Sequence, residues 1–380
     1  MSSKVKNIVL TSVVNVCRLV LVATFLFSGF VKANDPLGTV YKIEDYLAAW
    51  DMTAMPRVVI LVASLLLAFF EYGLGIYLLL GLRRKIVSLL MLVFMTVMTL
   101  FTVYIAIYEP VSDCGCFGDA IILSNTQTLL KNVVLLVCAV IVFKWHGRQW
   151  TMLGQYMGWI VAMIAMLGIV AYSTFCIYAL PVIDFRPYKV GTDLREMVTV
   201  PDEQRPQFKV TLVYERNGET LELDIDDDDP DDSWTYVETK REEIVAADHN
   251  IISDFYIENM DGDDVATELL ETEGYVFLLV APVLQTADQS IMDKINDLYD
   301  YTLQQGLTFV CITASDNSQR ERWIDYTGAE YPFLTSDERM MKTMVRANPG
   351  LVLLCDGVVM KKWSNWNFPL VDEVEDMIAQ

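Results

Sequence analysis

Residues 86–108 read IVSLLMLVFMTVMTLFTVYIAIY and contain no charged side chain. A helix crosses the hydrocarbon core of a bilayer with about 20 apolar residues, so this stretch predicts a transmembrane helix. Four further apolar stretches on either side of it are long enough to do the same. The five predicted spans are Asn7–Phe30, Arg57–Gly81, Ile86–Tyr108, Thr128–Trp145 and Met152–Leu180. The pattern therefore predicts an α-helical membrane bundle in the first half of the chain.

Charged residues are distributed unevenly along the 380-residue chain, which has 28 Lys and Arg, 50 Asp and Glu and a net charge of −22. Up to Leu180 there are 12 basic and 8 acidic residues, whereas the remainder has 16 basic and 42 acidic residues. The second half therefore predicts an acidic domain outside the lipid bilayer. Its negative charge would repel a phosphate backbone, which argues against a nucleic-acid partner.

The loops between the spans differ in charge, and this difference predicts the orientation of the bundle. Lys and Arg precede span one and lie between spans two and three and between spans four and five, whereas residues 109–127 contain neither. Short basic loops stay in the cytoplasm. We therefore expect a bacterial inner-membrane protein with a cytoplasmic N-terminus and with residues 181–380 in the periplasm.

Two charged side chains, Arg18 and Glu71, fall inside predicted spans one and two. Counted from the outer ends of the spans, they lie at depths of about 18 and about 22 Å, so adjacent antiparallel helices bring them level. An unpaired charge at such a depth costs several kcal/mol. The sequence therefore predicts an intramembrane ion pair, which either fixes the helix register or belongs to a proton or quinone site.

A cysteine pair lies in the loop after span three, where residues 113–119 read DCGCFGD. Exposed thiols in an oxidising periplasm tend to form disulfides, and Gly115 permits the tight turn that a Cys114–Cys116 bond requires. Such a small ring is expected to be strained and easily attacked by a thiolate. Cys176, about 6 Å below the predicted outer surface in span five, is the candidate resolving thiol.

Three roles for this pair are compatible with the residues. The first is thiol–disulfide exchange coupled to electron flow in the membrane, and the second is a structural disulfide that shapes the loop. The third is a soft-metal site for an ion such as Cu(I), because Met52 and Met55 lie in the other outward loop and thioethers suit that ion. With two histidines in the chain, a zinc or haem site is not expected.

The motifs of the first four spans resemble a known membrane family. They are Arg18, Phe27-Ser28-Gly29 with Lys32, Glu71 with Gly75, and Cys114-Gly115-Cys116-Phe117-Gly118. The string is similar to DoxX-like proteins, as found in Bacteroidetes-type bacteria, and more narrowly to the MauE branch, named for methylamine utilisation. The resemblance covers about residues 7–145 and implies a four-helix inner-membrane bundle associated with maturing disulfide-rich periplasmic proteins. It also implies that Cys114 and Cys116 are the redox pair, that Arg18 and Glu71 lie in the bundle interior, and that a quinone is a possible cofactor.

Residues 251–380 alternate between strand and helix patterns. Buried strands are predicted at Tyr275–Ala281, Leu307–Thr313, Gly350–Cys355 and Val358–Trp363. Helices are predicted at Asp288–Gln305, Asn317–Thr327, Asp337–Arg346 and Leu370–Ala379. This order resembles the thioredoxin-like α/β fold, with Asn348-Pro349 at that fold's cis-proline position.

The thioredoxin-like region lacks the redox motif of that fold. Redox-active members have a Cys-x-x-Cys pair after the first buried strand, where this chain reads APVLQTA at residues 281–287. Thiolate chemistry at that helix start is therefore excluded, and we expect Cys311 and Cys355 to be core residues. The domain is predicted to bind a protein or peptide. The aromatic residues that suit either such binding or the core are Trp363, Trp366 and Phe368.

These observations divide the chain into four regions. Residues 1–150 form the four-helix DoxX/MauE-like domain, and residues 151–180 form a fifth transmembrane helix. Residues 181–250 are a linker with a β-hairpin around Asn217-Gly218, and residues 251–380 are the extracytoplasmic thioredoxin-like domain. An Asp-rich run at residues 226–232 is typical of a solvated loop, with calcium binding as the alternative.

The predicted function is quinone-linked thiol–disulfide or electron transfer that helps to mature periplasmic client proteins. The alternative is a non-catalytic membrane-anchored scaffold, in which the cysteines form a structural disulfide and the redox-silent domain recruits partners. A third hypothesis is small-molecule or lipid binding in the interior around Arg18 and Glu71. The redox state of Cys114 and Cys116 discriminates between the first two.

Overall fold

The computed structural model describes residues 3–52, 54–111, 113–198, 208–216, 219–224, 235–243 and 255–378. The chain divides into two units. The first consists of Met1–Arg186 together with Val345–Gly350 and Trp363–Pro369. The second consists of Pro187–Met344, Leu351–Lys362 and Leu370–Gln380.

In the residues that the structure describes, the first unit has six α-helices. They are α1 (Ser3–Asn34), α2 (Pro36–Ala49), α3 (Arg57–Leu80), α4 (Arg84–Tyr108), α5 (Asn125–Lys144) and α6 (Gln155–Ala179). Five of them, all except α2, are long and apolar enough to cross a membrane. The five predicted spans are therefore confirmed among the described residues, although α1 extends four residues beyond the predicted end of span one.

Helix α2 lies in the segment between spans one and two, for which the sequence predicts a loop. It begins with a capping arrangement in which the Gly38 amide donates to Asp35 Oδ1 at 2.8 Å and Pro36 occupies the first turn. It buries Val40 and Tyr46 on one side. Its mixture of charged and apolar residues gives no long apolar run, so hydropathy alone does not reveal it.

The described residues of the second unit form a three-stranded sheet and a six-stranded sheet. In chain order its elements are α7 (Leu194–Val198), β1 (Phe208–Arg216), β2 (Glu219–Asp224), β3 (Thr235–Glu243), β4 (Ile257–Glu258), α8 (Ala266–Glu271), β5 (Tyr275–Val280), α9 (Met292–Gln305), β6 (Thr308–Thr313), α10 (Asn317–Thr327), β7 (Phe333–Ser336), α11 (Glu338–Met344), β8 (Gly350–Cys355), β9 (Val358–Ser364) and α12 (Val371–Ile378). The sheet orders are β2-β1-β3 and β4-β7-β6-β5-β8-β9.

Most predicted elements of this unit are present. Strands β1 and β2 pair as the antiparallel hairpin expected, and β5, β6, β8 and β9 occupy the predicted strand positions. The Asn348–Pro349 bond is cis. Strands β3, β4 and β7 were not predicted. Asn217-Gly218 and the Asp-rich run at residues 226–232 lie outside the described residues, so the calcium alternative stays a prediction.

The cysteine and aromatic side chains of the thioredoxin-like region, whose role as core or binding residues the sequence does not determine, differ in burial. Cys311 is completely buried in β6, and that burial raises the pKa of its thiol. Trp363 and Phe368 are buried, whereas Trp366 is 61% exposed. Of these aromatic residues, Trp366 therefore has the exposure that a binding anchor needs.

Candidate functional site

Helices α1 and α3 pack with their backbones in close contact, and two glycines make this possible. A Cβ atom on Gly29 would lie 2.5 Å from the Tyr72 backbone nitrogen, and one on Gly75 would lie 2.8 Å from Leu26 Cδ2. Small residues at such positions are typical of packed transmembrane helices. The contact brings Ser28 and Lys32, on either side of Gly29 in α1, next to Glu71 of α3.

We expect Gly29→Ala to destabilise the bundle by about 1–3 kcal/mol, because the added methyl group meets backbone rather than a movable side chain. The matched control is Gly168→Ala in α6, where no neighbouring atom lies within 4 Å of the new Cβ position. Thermal unfolding of both variants in detergent tests this. Equal stability of the two variants would contradict the proposed role of Gly29 in close packing.

A buried cluster of polar atoms forms at this contact. Lys32 Nζ donates to Glu71 Oε2 at 2.8 Å, to Ser28 Oγ at 2.7 Å and to the Cys116 carbonyl oxygen at 2.7 Å. Ser28 Oγ also lies 2.7 Å from both Glu71 Oε2 and the Cys116 carbonyl. An ammonium group has three donors, so all three are used, and the cluster connects the membrane helices to the cysteine loop.

The predicted pairing of Arg18 with Glu71 is wrong. The Arg18 guanidinium donates to the carbonyl oxygens of Leu78, Leu79 and Trp150. Since Gly29 packs against Tyr72, Glu71 lies about 11 residues beyond Arg18 along α1, or about 17 Å by helical rise. The prediction measured depth from the predicted span ends, but α1 is longer than its predicted span and α2 separates it from α3, so those ends are not level.

The cysteine pair occupies a turn between α4 and α5. Gly115 and Gly118 both have positive φ angles, +67° and +51°, in which L side chains are strained. The Gly115 amide donates to Asp113 Oδ1 at 2.9 Å, and the Gly118 amide donates to the Gly115 carbonyl at 3.1 Å. The turn brings Cys114 Sγ and Cys116 Sγ to 2.7 Å from each other as free thiols.

Helix α2 covers the Cys114 side of this turn. The Tyr46 hydroxyl donates to the Cys114 carbonyl at 3.2 Å, and Lys42 Nζ pairs with Asp113 Oδ2 at 2.8 Å. The Lys42 stem also packs so closely on Gly115 that a Cβ atom there would lie 2.7 Å from Lys42 Cγ. Cys114 is consequently buried, with Tyr46 and Ile105 in one apolar cluster. Access to its sulfur therefore depends on α2.

The two thiols have different acidities. The Cys114 thiol donates to the Cys116 sulfur and so lowers the pKa of Cys116 to about 7, and the ammonium groups of Lys131 and Lys32 act in the same direction. Burial and the Glu71 carboxylate oppose this. The same hydrogen bond, together with burial, raises the pKa of Cys114. Cys116 is therefore the sulfur that carries negative charge more readily when the pair is reduced.

A small cavity lies next to Cys116. Its volume is about 30 Å³, and it is lined by Cys116, Glu71, Lys131 and the apolar side chains of Phe94 and Met98, among others. Lys131 Nζ lies 4.1 Å from the centre of the Phe117 ring. Cys116 thus borders a largely apolar cavity that also reaches Glu71 of the α1–α3 polar cluster.

The surroundings of Cys176 belong to its own helix and to the chain that follows it. Cys176 is buried in α6, where it hydrogen-bonds the Tyr172 side chain and the Val182 backbone. Its role as a resolving thiol stays a prediction. Differential alkylation of a Cys176→Ser variant tests it, because removal of a resolving thiol would leave mixed disulfides unresolved.

The candidate metal ligands of the sequence can be compared with the structure. Within the described ranges, no group of three or more His, Cys, Asp and Glu residues is arranged to hold a metal ion. Met52 and Met55, the candidate thioether ligands, are exposed side chains after α2. The copper alternative, which uses cysteine and methionine ligands, stays a prediction.

Several residues of the site are not identified by the sequence, and they differ in how strongly the sequence marks them. Lys32 was quoted as part of a motif but given no partner, and Lys131 is a charge near the start of an otherwise apolar span. Lys131 was detectable as an intramembrane charge, whereas Lys32 lies two residues beyond the predicted end of span one. Tyr46 and Lys42 carried no such signal, because their role depends on where α2 lies.

Fold and site together define a multi-pass membrane protein with a second, thioredoxin-like domain. Residues 10–144 match the family model of the methylamine utilisation protein MauE, which confirms the resemblance found in the first four spans. The match covers about a third of the chain. A search of curated proteins finds no match.

Solved structures are similar to the C-terminal region in fold. One is the thioredoxin domain of a thiol-disulfide oxidoreductase from Bacteroides vulgatus, with 12% identity, a TM-score of 0.27 and coverage of 33% of this chain and 96% of that one. Another is the bacterioferritin comigratory protein of Xanthomonas campestris, with 10% identity, a TM-score of 0.24 and coverage of 33% and 87%. At such identities the likeness concerns the fold alone.

Proposed function

We propose that Cys114 and Cys116 form a reversible disulfide that exchanges with the thiols of a client protein. The observation that carries this proposal is the 2.7 Å distance between the two sulfurs, in a turn held by α1 on one side and α2 on the other. A disulfide bond is about 2.05 Å long, so a small movement of the turn closes it. A pair that opens and closes with so little rearrangement suits exchange.

The difference in acidity assigns a role to each sulfur. A client thiolate attacks Cys114 Sγ, the Cys114–Cys116 bond breaks, and its electron pair goes to Cys116, which leaves as a thiolate. A second client thiolate then attacks the client sulfur of the mixed disulfide and releases Cys114, which takes up a proton. The client gains a disulfide and the pair gains two electrons. The lower pKa of Cys116 supports this order, because the more acidic thiol is the better leaving group.

The proposed acceptor that reoxidises the pair is a lipid-soluble quinone, which takes two electrons and two protons and becomes a quinol. The cavity beside Cys116, with its apolar walls and Lys131, supports an approach from the membrane side. At about 30 Å³ it is too small for a quinone ring, so Phe94 or Met98 would have to move.

The proposed location is the inner membrane of a bacterium, with the N-terminus in the cytoplasm and the thioredoxin-like domain in the periplasm. The basic loops support this orientation, and it places the cysteine turn on the oxidising side. The redox-silent domain then presents a periplasmic client protein rather than reacting with it.

The acidity of Cys116 predicts a specific pH profile for the reduced protein. Because its pKa is lowered to about 7, its alkylation rate should rise about tenfold per pH unit below pH 7 and level off above it, whereas Cys114 should react slowly up to pH 9. Quenched alkylation followed by mass spectrometry of the peptide containing both residues measures this. In a Cys114→Ala control the profile should move to higher pH, because the donating thiol is gone. A midpoint near pH 9 in the unaltered protein would refute the assignment.

Differential alkylation in native membranes tests the exchange function itself. The pair is expected to become reduced when quinone is depleted and oxidised when it is restored. A pair that stays oxidised under every growth condition would instead support the alternative, a membrane-anchored scaffold whose disulfide only shapes the loop.

A further inference from the structure

We infer that Lys32 and Ser28 are positioning residues for the cysteine pair: they hold the Cys116 carbonyl from inside the bundle and so keep Cys116 Sγ within bonding reach of Cys114 Sγ. This inference rests on the proposed exchange function and goes beyond it. It assigns a role to two membrane-helix residues that bond the Cys116 carbonyl oxygen rather than the sulfur of either cysteine.

The geometry of the Cys116 carbonyl supports it. This oxygen has two lone pairs, and it lies 2.7 Å from Lys32 Nζ and 2.7 Å from Ser28 Oγ. Two donors from one helix fix the orientation of the peptide plane after Cys116. In contrast, the Cys114 carbonyl is contacted by the Tyr46 hydroxyl of α2, at the longer distance of 3.2 Å. One end of the pair is therefore anchored to the bundle interior and the other to a covering helix.

The charge balance of the cluster explains how this anchor is tolerated in the membrane. The Lys32 ammonium is almost completely buried, and Glu71 Oε2 accepts from it at 2.8 Å. Glu71 thus compensates the charge, while the remaining two ammonium donors serve Ser28 Oγ and Cys116. A neutral donor would not need Glu71, but a hydrogen bond from a charged donor is stronger and holds the turn more firmly.

The test measures how readily the pair closes, rather than activity. The full-length protein in detergent is equilibrated with mixtures of reduced and oxidised glutathione, and the oxidised fraction of the Cys114–Cys116 peptide is read by mass spectrometry. For Lys32→Gln/Glu71→Gln, which removes both charges together, we expect the closure constant to fall about tenfold, because the shorter amide cannot replace the ammonium bond to the carbonyl. A milder variant, Ser28→Ala, should lower it severalfold.

A matched control separates positioning from general stability. Ser64 is also a buried serine of the bundle, and its Oγ donates to the Pro36 carbonyl at 3.0 Å, away from the cysteines. Ser64→Ala should lose about as much thermal stability as Ser28→Ala but leave the closure constant unchanged. Unchanged closure in both the Ser28 and the double variant would overturn the inference while leaving exchange intact. A pair that fails to cycle in the unaltered protein would instead overturn the proposed function.

Discussion

Replacing Cys116 with serine is expected to trap the client as a mixed disulfide on Cys114 and to abolish turnover, with a loss of more than about a thousandfold. In this variant the remaining Cys114 thiolate attacks the disulfide of an oxidised client, the reverse of the proposed exchange: a Cys114–client bond forms, the client's disulfide breaks and one client sulfur leaves as a thiolate. The serine hydroxyl cannot then attack the mixed disulfide to release the client. The complementary variant Cys114→Ser should lose turnover equally but accumulate no mixed disulfide, because in the proposed order the client bonds to Cys114 and the more acidic Cys116 is the leaving thiolate. Non-reducing gels of membranes treated with an alkylating agent distinguish the two.

The control for both variants is Cys138→Ser. Cys138 is buried in α5 within the apolar cluster formed with Leu21 and Met91, away from the turn. The Cys138→Ser variant should leave both turnover and trapping unchanged. Equal trapping by Cys114→Ser and Cys116→Ser would mean that either sulfur meets the client, and the assignment of Cys114 as the client-facing thiol would then be wrong.

Removing the Lys32 charge alone is expected to destabilise the bundle by about 3–5 kcal/mol, because Lys32→Gln leaves the buried Glu71 carboxylate without its ion-pair partner. The double variant Lys32→Gln/Glu71→Gln should recover most of that loss, since no uncompensated charge remains. The midpoint of thermal unfolding in detergent and the amount of folded protein in membranes measure both effects.

The matched control is the same substitution at a less buried lysine. Lys42 pairs with Asp113, and both side chains retain about a fifth of their exposure. Exposed ion pairs contribute about 0–1 kcal/mol, so Lys42→Gln should shift the unfolding midpoint little. A single Lys32 variant as stable as the Lys42 variant would show that the cluster does not hold a buried ion pair.

Much of the fold was predictable because it depends on local properties of the chain. Each span follows from an apolar length, and strands β5 and β6 follow from short continuous apolar runs. Helix α2 was not predictable in this way, because its charged residues interrupt the apolar pattern of its buried side. Short strands such as β4 and β7 give too few residues for a period to be read.

The candidate site was predictable in its chemistry and less so in its contacts. The sequence identified Cys114, Gly115 and Cys116 as a turn able to bring two sulfurs together, and the positive φ angle of Gly115 agrees. It also identified Glu71 as a buried charge but paired it with the wrong cation. Counting residues from span ends assumes that neighbouring helices end at one level, and the close contact of Gly29 with Tyr72 sets a different offset.

By itself, the sequence determined that the described part of this protein has five helices long and apolar enough to span a membrane, a Cys-Gly-Cys turn between two of them, and a thioredoxin-like region without the usual cysteines. These are properties of residue type and spacing. Only the tertiary structure decided that Lys32 joins Glu71 beneath Cys116 and that α2 covers Cys114. The physical reason is that such pairings depend on the relative shift of packed helices, which is the result of many contacts rather than of any one segment.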